Sequence, residues 1–295
     1  MTTLRQLRFL VALADELNFS RAADACHVTQ PTLSAGLKEL EASLGASLAE
    51  RTRRSVILTG LGRTIADRAR TVLAEVRDIE DLAARCSGPL QGKVTLGTIP
   101  TIGPFLIPRA LPLIRRQFPE LKLFLREELT ESLVDGLVEG RLDAVLMALP
   151  FEIGDLETAP LFEDGYQLVT PLKHPILGHG QVAGPELAGT PLLLLEKGHC
   201  LQRHALSAFP DVLIQQDETF SATSLNTLVA MVEEGLGITL LPQMAIDAGI
   251  ASGHAVALTP LKGACPRRIV LAWRRTSAHA EDFRRLAGIF REVRH

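Results

Sequence analysis

The chain has 295 residues, a length that favours more than one compact unit, each large enough to bury a core. Its hydrophobic content of 46% is ordinary for a globular protein, and no uncharged apolar run approaches the roughly 18 residues of a membrane span. The net charge of -3 neither supports nor excludes a nucleic-acid partner, because the sum can hide a local basic patch. The N-terminus lacks the features of a secretory signal, so we expect a cytoplasmic protein with no membrane partner.

The first third of the chain predicts three helices. Apolar residues recur at helical spacing from Leu4 to Leu17, and a short second helix, capped by Ser20, is expected to follow. Thr29 is a suitable N-cap for a third helix, and Gly45 is a suitable end for it.

The second and third of these helices, joined by a tight turn, match a helix-turn-helix whose second helix enters the major groove of DNA. A basic turn and an alternating strand then predict a hairpin wing on the DNA backbone. A small helical core with a solvated basic edge is the alternative explanation. The predicted DNA contacts are Arg21, Thr29, Gln30, Pro31, Thr32, Ser34, Lys38, Arg51, Arg53 and Arg54.

After Thr59 a long helix is expected to run to about Cys86. Its apolar residues repeat at alternating spacings of four and three, a heptad seam that indicates a dimer. A dimer also suits DNA binding, since two recognition helices can contact a pseudo-palindromic site. The predicted seam consists of Ile65, Ala69, Val72, Val76, Ile79 and Ala83.

Past Pro89, short β-rich runs alternate with helical ones, which predicts parallel sheets with helices on both faces. We expect a two-lobed α/β domain with a ligand cleft between the strand ends. The predicted domains are residues 1–59, a winged helix-turn-helix; 60–88, a dimerisation helix; and 89–295, an effector domain. One lobe is expected at about 93–162 and 268–295, and the other at about 163–267.

Cys200 lies between a strand pattern that ends at Leu195 and a helical run, so we expect it at a strand-to-helix junction. A thiol near a helix N-terminus gains stabilisation of its thiolate from the helix dipole, and His199 could add to this. Such a thiol could react with a peroxide. An inert buried cysteine beside a loop histidine is the alternative.

The other cysteines, Cys26, Cys86 and Cys265, are far from Cys200 and from one another in the sequence. They form no C-x-x-C pair and no Cys/His spacing typical of zinc sites. We therefore predict no disulfide framework, no metal site and no cofactor.

A set of motifs in the first sixty residues carries a family resemblance. They are Arg21-Ala22-Ala23, Val28-Thr29-Gln30-Pro31-Thr32-Leu33-Ser34, Leu40-Glu41, Leu44-Gly45, Leu48, Arg51, Leu58-Thr59 and Gly62. This segment resembles the DNA-binding domain of LysR-type transcriptional regulators. The resemblance implies a periplasmic-binding-protein fold for the effector domain, a homodimer or homotetramer, and promoter DNA and RNA polymerase as partners.

Further motifs resemble the peroxide-sensing members of that family. They are Ile99-Pro100-Thr101-Ile102-Gly103-Pro104, Leu194-Leu195-Glu196-Lys197-Gly198-His199-Cys200-Leu201, Ala222-Thr223-Ser224-Leu225, Pro266-Arg267-Arg268 and Cys26-His27-Val28. This resemblance implies an activator in which peroxide oxidises Cys200, next to His199. It also implies that Thr101 and Thr130 bind the peroxide and that Arg268 is a cationic partner in the pocket.

One departure from that pattern concerns the second cysteine, which the peroxide-sensing members have nine residues after the first. Phe209 occupies this position here, so a disulfide between the two positions cannot form. Oxidation would then stop at sulfenic acid, form a mixed disulfide or recruit another thiol. A disulfide requires Cα atoms within about 7 Å, and sequence does not show whether Cys265 meets that condition.

The leading hypothesis is therefore a DNA-binding regulator that responds to peroxide through Cys200. The alternative keeps DNA binding but has a small organic, anionic effector in the interlobe cleft. A thiol peroxidase is disfavoured, because no visible resolving thiol supports rapid turnover, and we expect no enzyme. An exported transport protein would have no use for the helix-turn-helix.

Overall fold

The computed structural model describes residues 1–51, 56–84, 90–177, 180–212 and 215–294. The chain divides into two compact units, Met1–Ser87 with Gly136–Arg141, and Gly88–Asp135 with Leu142–His295. The domain and lobe boundaries predicted from the sequence stay predictions.

The N-terminal unit contains helices and a two-stranded antiparallel hairpin. Its elements are α1 (Leu4–Glu16), α2 (Phe19–Ala25), α3 (Gln30–Leu44), β1 (Ala49–Arg51), β2 (Val56–Leu58) and α4 (Gly60–Ala84). The hairpin strands flank the predicted wing. Arg53 and Arg54, predicted as DNA contacts, lie outside the described residues.

Short polar side chains fix the beginnings of α2 and α3. The Asn18 side chain accepts hydrogen bonds from the backbone N–H groups of Ser20 and Arg21, at 2.9 and 3.1 Å, so Asn18 caps α2 and the prediction of Ser20 was wrong. Thr29 caps α3 as predicted. Gly45 ends α3 in the left-handed conformation, with φ of 68°, which glycine adopts without a Cβ clash.

The core of the N-terminal unit is formed by the inward faces of α1, α2, α3 and the start of α4, together with the ends of the hairpin. Its buried members are Phe9, Leu10, Leu13, Ala22, Ala23, Leu33, Leu37, Leu40, Leu48, Leu58 and Ala66. The Glu41 carboxylate accepts hydrogen bonds from the backbone N–H groups of Leu48 and Ala49, at 2.7 and 3.3 Å. This contact fastens the end of α3 to the start of the hairpin.

The predicted dimer seam on α4 divides between two environments. Ile65 is half-buried against the core of the N-terminal unit and Ala69 is buried within the chain, so the prediction was wrong for Ala69. The reason is that the beginning of α4 packs on α1 of the same chain. Val72 and Ile79 are 44% and 65% exposed and Val76 is half-buried, so these side chains remain accessible to a second chain. The Ala83 side chain lies outside the described part of the structure.

The effector domain contains a five-stranded sheet with α-helices packed beside it. From edge to edge its strands are β4 (Leu121–Glu127), β3 (Gly92–Thr98), β5 (Ala144–Leu149), β13 (Arg267–Arg274) and β6 (Leu156–Asp164). Its helices are α5 (Gly103–Gln117), α6 (Thr130–Val138) and α11 (Ala280–Glu292). The buried Trp273 ring packs on Phe283, with ring centroids 5.8 Å apart.

A second set of strands forms the other lobe. One sheet has the order β11 (Thr239–Pro242), β7 (Tyr166–Pro171), β12 (Val256–Lys262) and β8 (Val182–Ala183), and β9 (Pro191–Leu195) pairs in parallel with β10 (Gln215–Ala222). A parallel bridge between Leu192 and Ile238 joins β9 to the chain that leads into β11. The helices of this lobe are α7 (Gly184–Leu187), α8 (Cys200–Leu206), α9 (Leu225–Glu233) and α10 (Gln243–Asp247).

The two-lobed α/β architecture is confirmed, but the sheets, predicted to be parallel, contain parallel and antiparallel pairs. β13 runs antiparallel to both β5 and β6, and β7 runs antiparallel to β11 and β12. The chain leaves the first sheet after β6, builds the second lobe and returns through β13 in the reverse direction. An alternation of strands and helices does not indicate the direction of a returning strand.

Gly62 near the start of α4 is in close contact with the backbone before the hairpin. The Thr59 hydroxyl accepts a hydrogen bond from the Gly62 N–H at 2.9 Å, and a Cβ on Gly62 would lie 2.0 Å from the Leu48 carbonyl oxygen. We expect Gly62→Ala to destabilise the N-terminal unit by about 1–3 kcal/mol, because the Leu48 carbonyl oxygen belongs to the backbone and cannot move away by a side-chain rotation. Urea unfolding of the full chain measures this.

Gly60→Ala is the matched control, since a Cβ there would meet nothing within 4 Å. We expect it to be neutral or to stabilise by up to about 1 kcal/mol, because alanine restricts the unfolded chain. Equal unfolding midpoints for the two variants would contradict the steric argument.

Candidate functional site

The predicted DNA-contacting residues of α2 and α3 differ in how far their side chains are exposed to solvent. Gln30, Pro31 and Lys38 are exposed, whereas Thr32 and Ser34 are half-buried. The Thr29 and Thr32 hydroxyl oxygens are 2.8 Å apart, so this pair shapes the first turn of α3. Gln30 and Lys38 therefore present the longest polar side chains of this set on α3.

Arg21 and Arg51 complete the described part of the predicted DNA surface. Arg21 is exposed and forms an ion pair with Glu16 at the end of α1, with an N–O distance of 3.0 Å. The backbone of Arg51 ends β1, while its side chain lies outside the described part. The role of each residue at DNA stays a prediction.

A small pocket lies in the effector domain, where loops from both lobes meet. Its empty volume is about 170 Å³, and it is lined by Ile99, Pro100, Thr101, Leu129, Thr130, His199, Cys200 and Leu201. Thr101 follows β3, Thr130 begins α6 and Cys200 begins α8 directly after the β9 loop. The structure thus brings together Thr101, Thr130, His199 and Cys200, for which the family resemblance implied one pocket.

Cys200 is a free thiol that is only 4% exposed. It is the first residue of α8, at the predicted strand-to-helix junction, and the preceding loop turns through Gly198 at a φ of 106°. His199 occupies the N-cap position with its ring half-buried. Burial lowers the pKa of His199, against the opposing effect of Glu196, so its imidazole is neutral at pH 7.

The predicted pocket cation, Arg268, is exposed, and the prediction of its position was wrong. Arg267 is the buried residue instead, with a side chain that is fully enclosed. Successive side chains of a strand point to opposite faces. The side chain of Arg267 therefore points into the protein, while that of Arg268 points to solvent. Two adjacent arginines at the start of a strand gave no basis for choosing between them.

Arg267 forms a buried ion pair with Asp164, and sequence reasoning did not single out either residue of this pair. The Asp164 carboxylate accepts hydrogen bonds from Arg267 Nε at 3.1 Å, from Arg267 Nη2 at 2.9 Å and from the Met244 N–H at 2.8 Å. Arg267 also donates to the Thr101 hydroxyl at 2.7 Å and to the Thr101 carbonyl at 3.0 Å. The cation therefore reaches the pocket through Thr101.

Three buried polar atoms near this pocket have no hydrogen-bond partner within the described structure. They are Thr130 Oγ1, Tyr166 OH and His204 Nδ1. Burial, together with the negative groups Asp164 and Cys200, raises the pKa of Tyr166 against the effect of Arg267, so its phenol keeps its proton. Single tyrosine and histidine residues carry no sequence signal that would have marked Tyr166 and His204.

Two comparisons with family models decide the family. A model described as the LysR substrate binding domain matches residues 87–294, and one described as a bacterial regulatory helix-turn-helix protein of the lysR family matches residues 4–63. The chain belongs to the LysR family of transcriptional regulators. This LysR-type regulator binds DNA, and its relatives are regulators rather than enzymes.

Individual relatives match nearly the whole LysR-type chain. The chain is 39% identical over 289 residues to the hydrogen peroxide-inducible genes activator of Pectobacterium carotovorum, covering 98% of this chain and 96% of that one. It is 38% identical to the HTH-type transcriptional regulator EstR of Acinetobacter baylyi, covering 99% and 97%. A cysteine-to-aspartate variant of full-length OxyR from Pseudomonas aeruginosa is similar in structure, with a TM-score of 0.84, 35% identity and coverage of 99% and 95%.

Within the ranges that the structure describes, no group of three or more His, Cys, Asp or Glu side chains is arranged to hold a metal ion. No helix in those ranges combines the length and apolar character that crossing a bilayer requires.

Replacing Arg267 tests the buried ion pair. We expect Arg267→Met to lower the free energy of unfolding by about 3–5 kcal/mol, because it leaves the Asp164 carboxylate buried without its cation. Arg268→Met is the matched neighbour and should change stability by less than about 0.5 kcal/mol, since the side chain is exposed. Denaturant unfolding measures both, and a larger loss for Arg268→Met would contradict the assignment.

Proposed function

We propose that this LysR-type regulator responds to hydrogen peroxide through oxidation of Cys200. The observation that carries the proposal is the pocket itself, where a buried free thiol lies beside the unpartnered hydroxyl of Thr130. The names of relatives support it, because a protein 39% identical over nearly the full length is a hydrogen peroxide-inducible genes activator.

The size of the pocket favours a very small ligand. Its empty volume of about 170 Å³ includes space open to solvent. A space of this size does not enclose a drug-sized ligand.

The polar groups of the pocket suit a peroxide. Thr101 Oγ1 accepts a hydrogen bond from Arg267, so its own proton is left to donate elsewhere, and Thr130 Oγ1 has neither donor nor acceptor among the described residues. These hydroxyls can hold the two oxygens in line with the sulfur of Cys200. The Cys200 thiolate then attacks the nearer oxygen; an S–O bond forms, the O–O bond breaks, and hydroxide leaves as water after gaining a proton. Cys200 becomes a sulfenic acid.

The chain lacks a second thiol at the position where the peroxide-sensing members of the family have one. Phe209 occupies that position and is buried in the core of the second lobe. Cys265 is exposed, and its N–H donates a hydrogen bond to the Ala208 carbonyl at 2.7 Å. Cys200 begins the segment 200–208, whereas Cys265 lies beside the last residue of that segment. We propose that the oxidised state is the sulfenic acid or a mixed disulfide with a small thiol.

The assembly is also proposed. We infer a cytoplasmic homodimer that uses the accessible part of α4, where Val72 and Ile79 are exposed. A homotetramer, promoter DNA and RNA polymerase follow from the family resemblance as further partners, with activation as the outcome.

A small organic, anionic effector is the second candidate. Phe209 favours it, since this residue removes the second thiol. The relative EstR, 38% identical over 296 residues, is a transcriptional regulator whose name does not refer to peroxide.

Mass spectrometry after brief exposure to micromolar peroxide, with a sulfenic-acid trap, tests the proposal on the full chain. We expect rapid modification of Cys200 and a changed footprint on the upstream DNA of its own gene, because the pocket orients peroxide at this sulfur. Cys200→Ser should remove both effects, and Cys265→Ser is the control that should keep them. An unreactive Cys200 with intact DNA binding would instead favour the organic effector.

The salt dependence of DNA binding tests the wing. We expect the logarithm of the affinity to fall steeply with the logarithm of salt concentration, because cationic side chains release counterions from phosphates. Arg53→Ala with Arg54→Ala should reduce that slope by about one for each phosphate contact removed. Arg116→Ala, an exposed arginine of α5, is the control that should leave the slope unchanged. A flat response of the unaltered protein would contradict the phosphate contacts.

A further inference from the structure

The Cys200 pocket is assembled from both lobes of the effector domain. Thr101 follows β3 and Thr130 begins α6, so the hydroxyls belong to the first lobe, which contains the five-stranded sheet. His199 and Cys200 belong to the second lobe, where they follow β9. A displacement of about 1 Å between reacting groups can slow a reaction by roughly a hundredfold. The contacts that hold α8 on the first lobe therefore matter for the reactivity of the thiol.

The seven-residue helix α8 is fixed in its own lobe by one face. Leu201 and Ala205 of this face are buried in the core of the second lobe. Another face, with Arg203 and His204, is directed towards the loop that follows β5 of the first lobe. A helix as short as α8 moves as one piece, so the second face helps to decide where Cys200 lies.

Two successive residues of α8 contact that loop of the first lobe. The His204 Nε2 lies 3.1 Å from the Pro150 carbonyl oxygen, which can only accept, so the histidine donates this hydrogen bond. The guanidinium carbon of Arg203 lies 4.9 Å from the centroid of the Phe151 ring, within the range of a cation–π interaction. The histidine is buried, whereas the arginine is exposed. The helix that carries the thiol is thus joined to the lobe that carries the hydroxyls.

Other contacts join the two lobes away from α8. Arg294, which follows α11, forms an ion pair with Asp247 of α10, with an N–O distance of 2.7 Å. The buried pair of Arg267 and Asp164 joins the ends of β13 and β6 to α10. Loss of the α8 contacts is therefore expected to loosen the edge of the pocket while the lobes stay joined.

We propose that Arg203 and His204 are positioning residues that hold α8 on the first lobe. Through α8 they keep the Cys200 thiol aligned with the hydroxyls of the pocket, a role that rests on the proposed peroxide response. While both contacts are made, the pocket is closed around the thiol, so a peroxide is oriented and a larger reagent is excluded. When they are broken, a peroxide reaches the sulfur without orientation and a larger reagent gains access.

Two reagents of different size test this role on the full chain at neutral pH. The first rate is that of Cys200 oxidation by hydrogen peroxide, measured with a sulfenic-acid trap. The second is that of Cys200 alkylation by N-ethylmaleimide, a ring compound much larger than peroxide. Mass spectrometry follows the Cys200 peptide in both. Opening of the pocket raises the alkylation rate and lowers the ratio of the oxidation rate to the alkylation rate.

Phe151→Leu is the most informative variant, because it removes the ring from the first lobe, changes no charge and leaves α8 unaltered. We expect its alkylation rate to rise about two- to fivefold, the factor that corresponds to an exposed cation–π contact, and its rate ratio to fall similarly. Arg203→Gln should have the same effect. The double variant should add little to either, because both substitutions remove one shared contact.

The hydrogen bond of His204 is tested by a pair of variants. His204→Leu removes the donor to the Pro150 carbonyl and should raise the alkylation rate by about two- to tenfold. His204→Gln should retain the behaviour of the unaltered protein, since its side-chain amide can still donate to that carbonyl. Arg116→Gln, at an exposed position of α5, is the control that should leave both rates unchanged.

Two outcomes overturn the proposal. One is a Phe151→Leu protein with both rates equal to those of the Arg116→Gln control, a result that does not depend on the folding of His204→Leu. The other is a change of both rates by the same factor, because a charge effect alters the thiolate fraction for both reagents alike. Failure of the peroxide response is distinguishable: Cys200 of the unaltered protein would resist peroxide, while Phe151→Leu would still raise the alkylation rate.

Discussion

The buried ion pair between Arg267 and Asp164 is the contact on which the geometry of the effector pocket depends. Both side chains are fully enclosed, and removing two charges from water is costly unless hydrogen bonds satisfy them. Here Asp164 also accepts the Met244 N–H, and Arg267 also donates twice to Thr101. The pair therefore joins the ends of β6 and β13 to α10 and to the loop after β3. Through Thr101, it fixes one wall of the pocket that contains Cys200.

The pocket is small and polar, and its hydrogen bonding is incomplete. Thr130, Tyr166 and His204 each have a buried polar atom without a partner among the described residues. Most buried polar groups in proteins are hydrogen-bonded, so unpaired ones that cluster near a buried thiol indicate a place where a small polar molecule or a proton is handled. The hydroxyl of Thr130 lines the pocket and suits a ligand, while burial raises the pKa of Tyr166 and lowers the pKa of His204, so that both side chains are neutral.

Phe209 follows α8 at the position where a reactive thiol was expected from the resemblance. It has a packing role instead. Its ring packs in the core with Ala208 and Leu201, and a Cβ on Gly184 would lie 2.8 Å from it. The end of the α8 segment is thus held by apolar packing. In the proposed response, the signal has to begin at Cys200 itself, where one added oxygen enters a nearly closed site and disturbs the loops of both lobes.

The sequence by itself determined the local features: the helix-turn-helix with its Thr29 cap and Gly45 end, the long α4 and the strand-to-helix junction at Cys200. These follow from short-range periodicity, capping and recognisable motifs, which are contained in neighbouring residues, whereas the pocket roles of Thr101 and Thr130 were implied by the family resemblance alone. Only the tertiary structure decided that Arg267 rather than Arg268 is buried, that Ile65 and Ala69 pack inside the chain, and that β13 returns antiparallel. It also joined Arg267 to Asp164, brought Tyr166 close enough to Cys200 for their charges to interact and buried His204 against the Pro150 carbonyl. Each of these depends on which face of an element meets a partner distant in sequence, and no local pattern contains that information.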